Sequence, residues 1–290
     1  MIIKQIPKRV VIIGSKGFVG SSISKLLQKS NISTLNLSRK EVDFNKQDAS
    51  EKLDNLITKE DYVIITAAEA PVKNNQMLLN NIKMITDIIN VIKKKSIKRI
   101  IYISSDAVYS DSLNDLHEES AVEPQTLHGI MHLTREVMLK QIQDVQLCII
   151  RPTLIYGIED PHNGYGPNQF FRLASSNQNI KLFGKGEELR DHVSITDVAR
   201  ITADVTLSNF EGILNIASGK VNSFKNIASI IKNLYKDQID FIETERTGEM
   251  PHKGYRSFNI DKLYSLFPGY KLKNINEGLI DYFKSINKLE

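Results

Sequence analysis

The sequence predicts an α/β protein: a doubly wound parallel sheet followed by a smaller C-terminal part. Three observations carry this. Short β-branched runs alternate with longer segments of helical spacing through the first half. The runs are apolar almost throughout, as strands covered on both faces must be. The first of them stops at a glycine triplet, the punctuation of a tight strand-to-helix turn.

The elements follow in order. "RVVIIG", ending at Gly14, reads as the first strand, and "GFVGSSISKLLQKS" as a helix with Val19, Ile23, Leu26 and Leu27 on one side. "STLNLS" and "DYVIIT" are the second and third strands. "MLLNNIKMITDIINVIKKK" is a long amphipathic helix and "RIIYIS" the fourth strand. "EPQTLHGIMHLTREVML" is the next helix, with Thr126 as N-cap and Leu133, Val137 and Ile142 as an apolar stripe. "QLCIIRP" is the fifth strand. Right-handed crossovers turn such an alternation into a sheet with helices on both faces. Beyond it, "YGIEDPHNGYGPNQF" is too polar and too rich in glycine and proline for a core element. Later helices include "SFKNIASIIKNLYK", with Ser223 as N-cap. Residues 1–156 are expected to form one domain, and 157–290 a second part interleaved with the last strands of the sheet.

Composition bounds the function. With 290 residues, 41% of them hydrophobic and 25% charged, the chain is an ordinary globular one. A net charge of +4 slightly favours anionic ligands but supplies no basic stripe for nucleic acid. The densest basic run, "KKKSIKR", falls where a helix ends and a strand begins, and reads as solvated charge favourable to a helix C-terminus. The lone cysteine, Cys148, cannot form an internal disulfide, which suits a reducing compartment. The N-terminal stretch lacks the pattern of a signal peptide, and no apolar run is long enough to span a membrane. A cytoplasmic protein without membrane association is expected.

Two features carry chemistry. "GSKGFVG" places Gly14, Gly17 and Gly20 between the first strand and the first helix. Such a turn presents backbone N–H groups and the positive end of a helix to a pyrophosphate. The spacing is Gly-x-x-Gly-x-x-Gly, at the place where a Rossmann-type domain binds a dinucleotide. The second feature is His128 and His132, four apart and therefore on one helix face. They could be a metal pair, an acid–base pair, or two polar residues packed under a loop. No further His, Cys or carboxylate nearby has ligand spacing, so no metal is expected.

At this point the chain resembles the extended short-chain dehydrogenase/reductases, the NAD(P)-dependent nucleotide-sugar epimerases, dehydratases and reductases. The resemblance rests on "VVIIGSKGFVGSSISKLL", "ITAAEA", "IYISSDAVYS", "IIRPTLIYG", "RDHVSITDVAR" and "LNIASG", and covers nearly the whole chain. It implies a nucleotide cofactor at the sheet edge, touching Gly14, Gly17, Phe18, Gly20, Ala67, Ala68 and Thr153. It also implies a substrate-binding C-terminal part and a sugar nucleotide as partner. Arg190 would meet the sugar-nucleotide diphosphate, with an ion pair to Asp191 or Asp197 as its plainer reading. Asp106, Tyr165 and Asn168, with His162, are further candidates for substrate. His192 and His252 read as surface or satisfied histidines. The long helix before the fourth strand and the helix after it would pair with a second copy, giving a homodimer.

The residue that meets the adenosine ribose lies about 20 positions past the glycine turn, acidic for NAD and arginine for NADP. Here "LNLSRK" offers Ser38 and Arg39, so NADP is expected. NAD is the alternative, should Glu41 or Asp43 reach the ribose.

The sequence departs from the family at the Tyr-x-x-x-Lys pair. His128 stands in the place of the tyrosine and His132 in that of the lysine. No tyrosine occurs between Tyr109 and Tyr156, and no lysine between Lys98 and Lys140, so no shift of alignment restores the pair. Ser105 matches the residue that hydrogen-bonds the reacting oxygen; its plainer reading is a cap at a strand end. Ala107 removes the glutamate that dehydratases carry there. The expected function is an NAD(P)-dependent oxidoreductase or epimerase acting on a nucleotide-linked sugar, in polysaccharide biosynthesis. Catalysis would fall to Ser105, His128 and His132. The alternative is a cofactor-binding sensor or interaction protein on the same fold, without hydride-transfer turnover.

Overall fold

A computed structural model describes residues 4–287. The chain divides into two compact units. One comprises Met1–Ser110, Glu118–Pro152 and Val198–Asn215; the other comprises Asp111–His117, Thr153–Asp197 and Ile216–Glu290.

The first unit carries β1 (Arg9–Ile13), α1 (Phe18–Lys29), β2 (Thr34–Leu37), α2 (Ala49–Leu56), β3 (Asp61–Ile65), α3 (Asn75–Lys95), β4 (Arg99–Ile103), α4 (Leu127–Lys140) and β5 (Gln146–Pro152). Its six-stranded sheet has the order β2-β1-β3-β4-β5-β9, where β9 is Gly212–Ile216. The pairs from β2 through β5 are parallel. Ile13, at the end of β1, lies opposite Leu37 of β2 and Ile65 of β3. The chain leaves β1 toward β2 on one side and returns to β3 on the other. The strand order therefore reverses at the C-terminal end of β1, where open α/β sheets hold ligands. Val11, Ile13, Val63, Ile65 and Ile100 are buried in a core completed by Ile85, Ile88 and Ile92 of α3. Sheet burial on both faces accounts for the aliphatic runs of the sequence.

Several local expectations meet the structure directly. Thr126 caps α4, its hydroxyl accepting from the Gly129 N–H. Ser223 likewise caps α7 (Phe224–Leu234). Lys93, Lys94 and Lys95 lie in the last turn of α3, where cations are favourable. Arg99, at the end of the same basic run, is instead fully buried. Its guanidinium donates to the carbonyls of Val205, Thr206 and Phe210, which satisfies it without a carboxylate. Helix α2 was not anticipated, because its eight residues bury only Ala49 and Leu53.

Helix α4 corrects the expected stripe. Val137 is 50% exposed and Ile130 40%, while the buried face carries His132, Arg135 and Glu136. The helix ends at Lys140, so Ile142 lies beyond it. The inversion is tolerated because the buried charges are engaged. Glu136 accepts from Ser104 Oγ at 2.6 Å and pairs with Arg151 at 2.9 and 2.6 Å. Arg135 donates to the carbonyls of Ala67 and Asn81. Apolar periodicity alone cannot foresee a helix whose polar face points inward.

The second unit contains β6 (Leu154–Tyr156), α5 (Pro167–Ser175), β7 (Ile180–Phe183), β8 (Leu189–Ser194), β10 (Val221–Ser223), β11 (Phe241–Thr244), β12 (Tyr255–Arg256), α8 (Asp261–Leu266) and α9 (Ile275–Ile286), besides α7. Helix α6 (Ile195–Thr206) runs on into residues of the first unit. Strand β8 is the hub of this unit, paired with β6, β10 and β12. Its core is aromatic, with Phe170, Phe171, Phe224 and Tyr282. Among the described residues no helix is long and apolar enough to cross a membrane.

Candidate functional site

The glycine turn is built as a cradle. Gly14 has φ +95°, a conformation that costs any other residue. A Cβ there would lie 2.6 Å from the Ala67 nitrogen and from Thr66 Oγ1, so only glycine lets the ends of β1 and β3 converge. Gly17 is the N-cap of α1, and that helix has no acidic residue in its first turn to repel an anion. A cavity of about 290 Å³ opens here, lined by Gly14, Gly17, Ser38, Arg39, Ala67 and Ala68 among others. Lys16, Asp43 and Glu69 also line it. The residues present therefore fit a dinucleotide. The N-terminus of α1 would take the pyrophosphate, and the end of β2 the adenosine ribose.

Glu41 is engaged by Ser38 through one carboxylate oxygen. Its carboxylate accepts from the Ser38 N–H at 2.8 Å and from Ser38 Oγ at 2.6 Å. These bonds hold its pKa below the usual carboxylate value. Lys16 and Arg39 are the cations of the cavity. Lys16 was missed from sequence, although it stands inside the glycine motif itself.

The second group of residues gathers around α4. Gly129 sits against the turn that follows β4. A Cβ there would lie 2.2 Å from the Ala107 carbonyl oxygen and 2.7 Å from Pro124 Cβ. That close approach sets the N-terminal turn of α4 against the Ser105–Val108 turn. Ser105 caps this turn, its Oγ accepting from the Ala107 N–H at 3.1 Å. The same hydroxyl donates to Asp106 Oδ1 at 3.4 Å, a long bond that a better acceptor could replace. Asp106 beside it is buried.

His128 and His132 meet edge to face, with ring centroids 4.7 Å apart. His128 is half-buried and His132 buried. Burial pushes the His132 pKa well below its ordinary value, and the neighbouring His128 and Arg135 push the same way. His132 is therefore neutral at physiological pH. The Tyr102 hydroxyl lies 2.8 Å from its Nδ1. Tyr102 was also missed; its one sequence signal is a hydroxyl in an otherwise aliphatic strand. Among the described residues, no group of three or more His, Cys, Asp or Glu is placed to hold a metal.

In the second unit, Thr153 donates to the Asp191 carbonyl at 3.1 Å. Asn168 spans its own backbone neighbourhood, accepting from the Gly157 N–H and donating to the Ile155 carbonyl. The Tyr165 hydroxyl accepts from the Phe183 N–H at 3.0 Å, and its ring packs on Phe170, Phe183 and Phe224. Burial raises its pKa, which makes it a poor proton exchanger at neutral pH. His162 is exposed. Arg190 pairs with Glu188 at 2.9 Å, not with Asp191 or Asp197. Arg246 approaches the same carboxylate at 3.7 Å and donates to the Phe183 carbonyl. Glu187 also lies within the electrostatic reach of Arg246, so the two arginines face two glutamates.

Between 10 and 217 the sequence matches the model of the NAD dependent epimerase/dehydratase family. The chain belongs to that family. Solved structures share its fold. UDP-glucose 4-epimerase with UDP-glucose from Thermotoga maritima aligns with a TM-score of 0.85 at 20% identity, over 97% of this chain and 100% of that one. GDP-L-fucose synthetase from Naegleria fowleri bound to NADP aligns at 0.84 and 16%, over 99% and 96%. A variant of UDP-glucuronic acid 4-epimerase from Bacillus cereus, in complex with NAD and a fluorinated UDP-sugar, aligns at 0.83 and 18%, over 97% and 100%.

His192, expected at the surface or satisfied, is buried. Its Nδ1 lies 3.2 Å from the Arg190 carbonyl, and no protein group is within hydrogen-bonding reach of Nε2. Burial and Arg190 push its pKa down to about 3. Unfolded, it would titrate near 6.5. Its folded pKa is the lower one, so the stability it permits is intact above about pH 6.5 and lost as pH falls. At pH 5 this loss should amount to about 2 kcal/mol. Relative to the unaltered protein, His192→Phe should therefore gain about that much between pH 7 and pH 5, read by urea denaturation. Parallel pH profiles for the two proteins would refute the assignment.

Proposed function

We propose that the protein is an NAD(P)-dependent epimerase or reductase of nucleotide-linked sugars in which His128 exchanges the substrate proton. One observation carries this reading: the two imidazoles lie 4.7 Å apart on α4, and Gly129 between them approaches Ala107 in the turn that Ser105 caps. A nicotinamide bound in this domain would accept or return a hydride. His128 would take the proton of the sugar hydroxyl as that hydroxyl becomes a ketone, and give it back in reduction. Ser105 would donate a hydrogen bond to the same oxygen. His132, held neutral, would hydrogen-bond the nicotinamide ribose. Ordinary imidazole titrates near pH 6.5, so no cation is needed to activate it, unlike a phenol near 10. Arg190 would meet the diphosphate of such a substrate by exchanging its bond to Glu188. Absence of a glutamate at Ala107 speaks against dehydration. A role in polysaccharide biosynthesis, in the cytoplasm, accords with such a substrate and with a buried reduced cysteine.

If His128 carries the proton, His128→Phe should abolish most turnover, tested with a panel of nucleotide sugars. Cofactor affinity should stay nearly unchanged, because the glycine turn supplies most of it. Oxidation should rise with pH and reduction should fall, since one needs the neutral base and the other the protonated acid. Full activity of the variant would end this reading. Absence of turnover in the unaltered protein would favour a cofactor-binding sensor.

For the cofactor we propose NADP(H), with Arg39 on the 2′-phosphate. Glu41 is already engaged by Ser38, which favours this choice. Arg39→Ala should weaken NADP(H) selectively by on the order of 1–3 kcal/mol. Equal affinity for NAD(H) and NADP(H) in the unaltered protein would contradict it.

We further propose a homodimer through α3 and α4. Leu79 of α3 and Ile130 and Val137 of α4 are large hydrophobics at 61%, 40% and 50% exposure. An isologous contact would cover them. Light scattering should give a dimer at micromolar concentration and a monomer for Val137→Lys; a monomeric unaltered protein would exclude the contact.

A further inference from the structure

We infer that Tyr102 is a positioning residue: its hydroxyl donates to His132 Nδ1 and thereby fixes His132 as the tautomer with its hydrogen on Nε2. The inference rests on the reading above, in which His132 meets the cofactor, and adds the group that makes it able to do so.

The geometry allows one assignment of protons. The phenol oxygen and Nδ1 are 2.8 Å apart, both buried. Burial pushes the Tyr102 pKa up to about 12, so the phenol keeps its hydrogen. The His132 imidazole is neutral, with one N–H and one lone pair. The Arg135 guanidinium, 6.0 Å from the Tyr102 ring centroid, can only donate and offers the phenol no acceptor. The hydrogen between the two rings is therefore the phenol's, and the Nδ1 lone pair receives it. The single imidazole hydrogen is left on Nε2.

The consequence is functional. An imidazole free to change tautomer could present either a donor or an acceptor to a ribose hydroxyl. Locked by Tyr102, His132 presents only a donor, the one property it shares with a lysine at that place. It is neither base nor cation, which leaves His128 as the imidazole that exchanges protons. The tyrosine on β4 thus helps the histidine on α4 take over a lysine's hydrogen bond without its charge.

The test uses the full chain labelled with nitrogen-15 in histidine, with long-range proton–nitrogen spectra at pH 7. The His132 signals are identified by their loss in His132→Gln. The expected result is a protonated Nε2 and an unprotonated, hydrogen-bonded Nδ1. In Tyr102→Phe the Nδ1 resonance should move toward that of a free lone pair. The dissociation constant for NADPH should rise on the order of tenfold, the loss expected for one hydrogen bond. A hydrogen on Nδ1 in the unaltered protein overturns the inference, and this spectrum decides even if Tyr102→Phe fails to fold. An Nδ1 resonance unmoved in the variant overturns it too, as does NADPH affinity within twofold of the unaltered protein. If the tautomer and the affinity behave as expected while no nucleotide sugar turns over, the hydride-transfer reading fails and the role of Tyr102 stands.

Discussion

The buried pair of Glu136 and Arg151 sets the orientation of α4, and with it the placement of both histidines. The carboxylate is fully buried and the guanidinium nearly so. Removing one partner of such a pair typically costs about 3–5 kcal/mol, because the other charge stays buried. Ser104 completes the arrangement by donating to the same carboxylate. Glu136 lies eight positions after His128 and four after His132, on the same face. A helix pinned there through Glu136 must turn His132 inward. Gly129 then sets how closely the N-terminal end of the helix can approach the Ser105 turn. One ion pair and one missing side chain thus determine where two imidazoles sit.

The sheet was readable in the sequence because parallel strands buried on both faces are short, continuous, β-branched apolar runs, here alternating with longer helical segments. The caps at Thr126 and Ser223 were readable because a hydroxyl ahead of an apolar run has one common use. The inward face of α4 was not. Its burial depends on partners distant in sequence, Arg151 and the carbonyls of Ala67 and Asn81, which no periodicity reveals. Arg99 was misread for the same reason, since its acceptors lie more than a hundred residues away. Helix α2 escaped because two small buried contacts leave little pattern. Of the site, the glycine turn and the histidine pair stood out as local motifs. Tyr102 and the shared Glu188 of Arg190 and Arg246 became visible only once strands and helices were placed.

In the proposed reading, a His-x-x-x-His pair in the place of Tyr-x-x-x-Lys would change the electrostatics of the whole group, not two residues separately. A phenol must have its proton affinity lowered to act near neutrality, and a nearby cation does this. An imidazole needs no such help, and a cation beside it would hold it deprotonated. Under that proposal a lysine beside the histidine would impair it as a base, so the two differences belong together.

Helix α4 carries a buried positive charge of its own. Arg135 stands three residues past His132, anchored on the carbonyls of Ala67 and Asn81. Ala67 also lines the cofactor cavity, so one carbonyl links the arginine to the cradle wall. From there the guanidinium disfavours a proton on His132, and His128 does so from the other side. The second histidine is thereby kept neutral, and that neutrality follows from burial and charge rather than from the imidazole itself.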